Sequence, residues 1–389
     1  MQLENKKIVL YTHNDGGTGN YDDELFNFLL KNDTSDLVRV DFPFGKKSEK
    51  SIRLKRYKVG KLFNKFESRI KFSSPEFISY TKDFIYGLYY GLRFSKNTDL
   101  FFGMDNLLTL IGLFFKRLGF VKEVVYVILD YSPKRYDNGL IDRIYYFVDK
   151  ICIYNSDYVL PLNEEIVQGR IRDKGLDKSR INYIVTPFGN HSLERKSVDY
   201  DNYDKKRIVY FGGVSKTTGV ELFIPIVKSL IKKGFCDFKF EVIGRIDNKN
   251  FEKTIRESNL AKYFIIHGRI DDVEEVEKLL LSCSLALAPY YVENRNSFSY
   301  YSDPGKVKFY LGCGLPIIIT DVPPIAKIIQ KKGCGIISKY DADSFADKII
   351  ELLSNEEKYS EYRKKAIAFG KEFDWNRIFE KTLEKISVK

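Results

Sequence analysis

The feature that most constrains this chain is an alternation, run through twice, of short apolar segments with helix-period segments. In the first half the apolar segments are Lys7–Thr12, Leu37–Phe42, Asp99–Phe102, Val124–Leu129 and Tyr158–Leu160, with helical patterns between them. A polar stretch, Ser192–Lys206, then interrupts the pattern. It restarts at Arg207–Phe211, followed by a helix over Val220–Ile231 and strands over Phe238–Ile243, Tyr263–Ile266 and Leu285–Ala288. Strands buried on both faces and separated by helices predict parallel sheets covered on both sides. The expectation is an α/β chain of two Rossmann-like domains facing across a cleft. Their predicted limits are 1–195 and 207–370, with 371–389 a final helix returning to the first domain. At 389 residues the length suits two such domains.

Composition removes other classes. A hydrophobic fraction of 44% and a charged fraction of 30% are those of a folded, water-exposed protein. The longest apolar run, Leu107–Phe115, is far short of the roughly 18 residues that span a bilayer. Met1–Lys7 leads directly into Ile8-Val9-Leu10, so no signal-peptide core is expected. Five cysteines without CxxC spacing suit reduced thiols, and with them a cytoplasmic location. The three histidines, His13, His191 and His267, lie far apart, so no metal site is expected.

The net charge of +11 is concentrated. Residues 46–71 carry eleven Lys/Arg against two acids, interleaved with apolar and aromatic residues such as Tyr57, Phe63 and Phe66. Such a stretch fits an anionic membrane surface. A solvated helix and loop is the plain alternative. Phosphates of a nucleic acid are the third, weakened because no nucleic-acid module accompanies the stretch. Phe77–Phe94, strongly aromatic at helical spacing, reads as core and membrane-side packing.

Three segments could carry chemistry. Gly16, Gly17 and Gly19 follow the first strand and precede a helix, where backbone can approach a ligand and a helix N-terminus favours anions. Gly212-Gly213-Val214-Ser215-Lys216-Thr217-Thr218-Gly219 is a second such loop, lacking the spacing of a Walker motif but able to hold a diphosphate beside Lys216. The densest segment is Tyr300–Thr320: Pro304-Gly305 opens a helix, with Asp303 or Ser302 available as its cap and Lys306 and Lys308 beside it. A phosphate there would meet amide donors, the helix dipole and Lys306 together.

Taken in order, the landmarks Gly16-Gly17, Pro187-Phe188-Gly189, Tyr210-Phe211-Gly212-Gly213, Ile243-Gly244, His267-Gly268-Arg269-Ile270, Leu287-Ala288-Pro289, Pro304-Gly305-Lys306 and Gly314-Leu315-Pro316 resemble the retaining family-4 type of nucleotide-sugar glycosyltransferases. The closing Asp374-Trp375 resembles the point where that family's last helix returns to the N-terminal domain. The resemblance implies the two-Rossmann-domain (B-type) fold. It also implies transfer of a sugar from a UDP- or GDP-linked donor to a saccharide or lipid-linked acceptor, with no cofactor and no metal, in bacterial surface polysaccharide or glycolipid synthesis. By position, Gly212, Gly213 and Lys216 and the helix start at Pro304, Gly305 and Lys306 would face the donor diphosphate. The backbone of His267–Ile270, with Arg269, would face its base, and Tyr301, Ser302 and Asp303 would also bind the donor. The acceptor would enter near Asp15, Gly16, Gly17, Asp105 and Asp130.

The chain departs from the family in places. The usual glutamate inside the helix and its partner eight residues earlier are Phe309 and Tyr301 here, and the usual loop Arg and Lys fall at Gly213 and Thr218. The usual N-domain histidine is replaced by Asp130, a candidate general base for an acceptor hydroxyl. The catalytic set expected is therefore Asp130, Lys306 and Lys216. A nucleotide-sugar epimerase of the same fold and a catalytically silent binding protein remain as alternatives.

Overall fold

The computed structural model describes residues 5–14, 20–32, 34–43, 51–68, 76–192, 203–246 and 250–387. The chain forms two compact units: Met1–Pro187 with Phe379–Lys389, and Phe188–Ile378. The change of unit thus falls at Pro187/Phe188, ahead of the polar stretch Ser192–Lys206.

Unit 1 runs β1 (Lys7–Asn14), α1 (Tyr21–Lys31), β2 (Asp36–Pro43), β3 (Arg53–Lys58), β4 (Lys61–Glu67), α2 (Glu76–Phe94), β5 (Thr98–Gly103), α3 (Asn106–Arg117), β6 (Val121–Ile128), α4 (Gly139–Asn155), β7 (Tyr158–Pro161) and α5 (Glu164–Lys174). Its seven strands are ordered β4-β3-β2-β1-β5-β6-β7. The five from β2 to β7 are parallel, and β3 and β4 add an antiparallel hairpin at the β2 edge. Apolar runs such as Ile8-Val9-Leu10 are fully buried, as strands covered on both faces require. The hairpin was missing from the strand pattern. Its residues fall in the basic stretch expected as a helix and loop or a membrane surface, and they form strands.

Unit 2 runs β8 (Arg207–Phe211), α6 (Val220–Lys232), β9 (Lys239–Ile243), α7 (Phe251–Glu257), β10 (Phe264–Gly268), α8 (Val273–Leu281), β11 (Leu285–Ala288), α9 (Phe298–Tyr301), α10 (Gly305–Gly312), β12 (Ile317–Thr320), α11 (Ile325–Lys332), β13 (Gly335–Ser338), α12 (Ala342–Leu353), α13 (Glu356–Gly370) and α14 (Trp375–Ser387). Its sheet, β10-β9-β8-β11-β12-β13, is parallel throughout. Two apolar layers cover its faces, one built around Phe223, Phe240 and Ile349, the other around Val307, Leu311 and Ile329.

From Phe379 onward α14 belongs to unit 1, and its first residues, Trp375–Ile378, belong to unit 2. The Phe379 ring meets Tyr21 and Phe28 of α1 at 5.5 Å between centroids in each case. Tyr158 Oη donates to the Ile386 carbonyl at 2.9 Å.

Candidate functional site

In an open parallel sheet, ligands bind beyond the carboxyl ends of the strands where the strand order reverses. In unit 2 that point lies between β8 and β11. The loop leaving β8 turns through Gly212 at φ +125°, a conformation side chains rarely adopt. A Cβ there would stand 3.0 Å from both Cε and Nζ of Lys306, which reaches in from the first turn of α10. Gly244, at φ +146° after β9, backs the same loop: a Cβ on it would lie 2.0 Å from the Gly212 carbonyl oxygen. Gly213 is exposed, with nothing near its Cβ position.

Lys306 is partly buried. Its Nζ donates to Tyr210 Oη at 2.6 Å, and Tyr210 Oη donates to the Gly213 carbonyl at 2.8 Å. The amine sits 4.4 Å from the Tyr210 ring centroid and 5.2 Å from that of Tyr290, which follows β11. Burial alone pulls its pKa down to about 7, and no carboxylate among the described residues counters it. The buried Tyr290 hydroxyl has no hydrogen-bond partner among the described residues. Among the described residues the switch point thus presents an uncompensated amine beside bare backbone, an arrangement that attracts an anion.

The neighbouring residues hold this lysine in place. Tyr310, also on α10, accepts from the Phe211 amide at 2.6 Å and so ties the helix to the end of β8. The expected cap of α10 is corrected: neither Ser302 nor Asp303 caps it, and Pro304 occupies the cap position without a side-chain bond. Asp303 instead pairs with buried Lys308 and accepts from the Phe188 amide at 2.8 Å. A carboxylate committed to a buried ammonium and an amide cannot also turn back to the helix. Asn190 completes this anchor, donating to the Lys308 and Gly370 carbonyls at 3.0 Å each. Tyr301 is buried, Ser302 Oγ donates to the Ser299 carbonyl at 3.0 Å, and Gly305 has the Phe188 ring 2.8 Å from its Cβ position. Phe309 packs against Phe211, 5.7 Å between centroids. Arg269 is exposed and bound to Asp271 at 2.6 Å. Lys216 lies in a 3-10 turn after the loop, and its side chain is outside the described part of the structure.

The switch point of unit 1 lies between β1 and β5. Asp15, Gly16 and Gly17 lie outside the described residues. Asp105 caps α3, accepting from the Leu108 amide at 2.9 Å, and its other oxygen binds His13 at the end of β1. The far nitrogen of His13 is 3.3 Å from Asp83 of α2. Burial opposes the imidazolium, but Asp105 and Asp83 outweigh it and push the His13 pKa up to about 9. Burial likewise opposes the Asp105 charge, yet His13 and the Leu108 amide keep that carboxyl below its ordinary range. His13 escaped the sequence reading because its partners lie 70 and 92 residues away. Its place at the end of the first strand was the available signal. Asp130, just past β6, has a side chain 47% exposed that accepts from Arg135 at 2.7 Å. The proposed base therefore starts from an ion pair.

Comparison with known proteins bears on both units. Residues 205–355, all within unit 2, match the family model described as glycosyl transferases group 1. An uncharacterised glycosyltransferase of Methanocaldococcus jannaschii is 24% identical over 237 residues, 60% of this chain and 59% of that protein, so the match spans about three fifths of its length. Among solved structures, sucrose-phosphate synthase from Thermosynechococcus elongatus aligns with a TM-score of 0.70 at 15% identity, covering 98% of each chain. HepE from Anabaena, in complex with UDP, aligns with a TM-score of 0.67 at 12% identity over 99% of this chain and 100% of that one. The chain has the B-type glycosyltransferase fold of two Rossmann-like domains.

Proposed function

We propose that this chain is a glycosyltransferase of the retaining family-4 type. It would move a sugar from a UDP- or GDP-linked donor to a saccharide or lipid-linked acceptor, without a bound metal or cofactor, in surface polysaccharide or glycolipid synthesis. The observation that carries the reading is Lys306 at the β8/β11 switch point, an amine without a carboxylate beside Gly212 and Gly213. A donor diphosphate would supply the missing negative charge. The solved structure of HepE with UDP, which shares the fold, and the family match over unit 2 support the same ligand class.

As the sugar leaves, the nucleotide diphosphate gains charge, so Lys306 would stabilise the transition state more than the ground state. Lys216 would add to it from the same loop. Once Arg135 releases it, Asp130 would hydrogen-bond a donor hydroxyl in a retaining reaction; deprotonation of the acceptor hydroxyl by it would suit inversion instead. The enzyme would work in the cytoplasm at an anionic membrane reached through residues 46–71.

Thermal unfolding with UDP, GDP, CDP and ADP tests the donor site. A preferred diphosphate at 100 times its dissociation constant should stabilise the chain by about 2.7 kcal/mol. Product analysis follows: transfer that requires an acceptor supports this reading, and conversion of donor alone identifies an epimerase. Binding by none, together with Phe309 packed on Phe211, would leave a silent protein.

A further inference from the structure

A helix on the surface of a parallel sheet buries one side and ordinarily shows water a polar one. In unit 1 the layer formed by α2, α3 and α4 does otherwise. Its inner packing is tight: Gly87 and Gly91 of α2 leave room for Ile111 and Phe115 of α3, whose side chains fill the space a Cβ would take. Asn106 of α3 donates to the Tyr145 carbonyl of α4 at 3.1 Å. The outer side is apolar as well. Ile85, Tyr89 and Leu92 form one exposed ridge on α2 at helical spacing, and Leu140, Ile144 and Phe147 form another on α4. Phe114 on α3 and Leu118 at its C-terminal cap lie between them, and every one of these eight residues is at least 46% exposed.

The charges on this layer have one sign. Arg93, Arg117, Arg143 and Lys150 are exposed, and among the described residues of the three helices no acid is. The β3–β4 hairpin continues the surface: Phe66 meets Tyr90 of α2 at 5.9 Å between centroids. Its exposed Val59, Leu62 and Phe63 alternate with Lys58, Lys61 and Lys65. Lys58 Nζ stands 4.3 Å over the Phe63 ring.

We infer that the outer faces of α2, α3 and α4, together with the β3–β4 hairpin, form a docking surface for an anionic lipid bilayer. The apolar ridges enter the boundary between headgroups and acyl chains while the lysines and arginines meet lipid phosphates. Charge selects this occupant over a second copy of the chain, because two such faces brought together would set like charges against each other. No described helix is long and apolar enough to cross a membrane, so the contact is peripheral. The surface reaches well beyond residues 46–71, and the inference does not depend on which reaction unit 2 performs.

Co-sedimentation of the full chain with vesicles tests it, using phosphatidylcholine alone and an equal mixture of phosphatidylcholine and phosphatidylglycerol. The chain should bind the mixed vesicles and not the neutral ones, more weakly as salt rises. Ile144→Glu with Phe147→Glu should lower binding roughly tenfold or more, as should Lys61→Glu with Lys65→Glu. Ile328→Glu, at an exposed apolar position of unit 2, should change nothing. Failure of the wild type to bind mixed vesicles overturns the proposal. So does wild-type binding by the α4 variant, or a dimer in solution that this variant disrupts. Retained hydrogen-exchange protection of β1 and β5 shows that unit 1 of a variant is folded. If UDP fails to stabilise the wild type, the donor-site reading fails and the vesicle result stands apart from it.

Discussion

An amine shielded from water with no carboxylate beside it favours its neutral form, and Lys306 is placed that way, with a pKa near 7 where a free lysine has 10.5. Below about pH 7 it is charged in folded and unfolded chains alike, and the cost of shielding that charge is fully present. Between 7 and 10.5 the folded chain has released the proton and the unfolded chain has not, so stability rises with pH; above 10.5 the effect is gone. Lys306→Met should therefore stabilise the chain by on the order of 1 kcal/mol at pH 6.5, the amine being partly open to water, and by nothing at pH 10.5. Urea unfolding at the two pH values measures this. A bound diphosphate would restore the charge, so above pH 7 UDP binding takes up a proton and its affinity falls as pH rises. Calorimetric titration between pH 7 and 9 should show that fall in the wild type and a flat profile in Lys306→Arg. A flat wild-type profile would remove Lys306 from the donor site. His13 has the opposite sign, since its pKa of about 9 lies above the ordinary 6.5. The stability that its protonation adds is complete below pH 6.5 and lost as pH rises through 9. His13→Gln should cost on the order of 2 kcal/mol at pH 6, with the pH-dependent part gone by about pH 10. An equal cost at both ends would show that His13 is not held as the imidazolium.

At the scale of elements, the loops after β8 and β9 are held by two glycines that do different jobs. Gly244→Ala combines a left-handed φ with a Cβ 2.0 Å from the Gly212 oxygen, and should destabilise unit 2 by roughly 2–4 kcal/mol. Gly213→Ala meets no atom within 4 Å and should alter stability by no more than about 0.5 kcal/mol. If the donor phosphates approach this backbone, the Gly213 variant should still lose UDP affinity, which a thermal-shift titration reads directly. Unchanged affinity would place the phosphates elsewhere. These loops were legible from sequence because glycine after an apolar run announces a turn, and the parallel strands because Ile, Val and Leu runs fill both faces. The β3–β4 hairpin was not legible. As an edge element it carries Lys or Arg at six of its thirteen strand positions, which protects an edge from further pairing and erases the apolar alternation. Asp303 misled for a related reason: its position before Pro304 suggested a cap, while its partners Lys308 and Phe188 are apparent only once the chain is folded. The His13–Asp105–Asp83 contact joins three separate elements, and spacing along the chain carries no trace of it.

At the scale of the whole molecule, unit 1 is assembled from two separated pieces of chain, 1–187 and 379–389. The second piece is short, but Phe379, Leu383 and Ile386 are at most 3% exposed. Thr382 Oγ1 lies 3.3 Å from Thr186 Oγ1 in the same unit. Three large apolar side chains buried at about 1.5–3 kcal/mol each amount to a large part of the 5–15 kcal/mol that holds a typical domain together. Truncation after Ile378 should therefore unfold most of unit 1. Unit 2 has its own sheet and its own two apolar layers, and neither includes residues beyond 378. It should stay folded and keep its stabilisation by UDP. Hydrogen exchange separates these outcomes in one sample. Amides of β1 and β5 should exchange freely in the truncated chain, while those of β8 and β11 stay protected and gain protection when UDP is added. Protection retained in β1 would mean that α14 is an appendage rather than part of the unit 1 core. Loss of protection in β8 together with β1 would mean that the two units unfold as one.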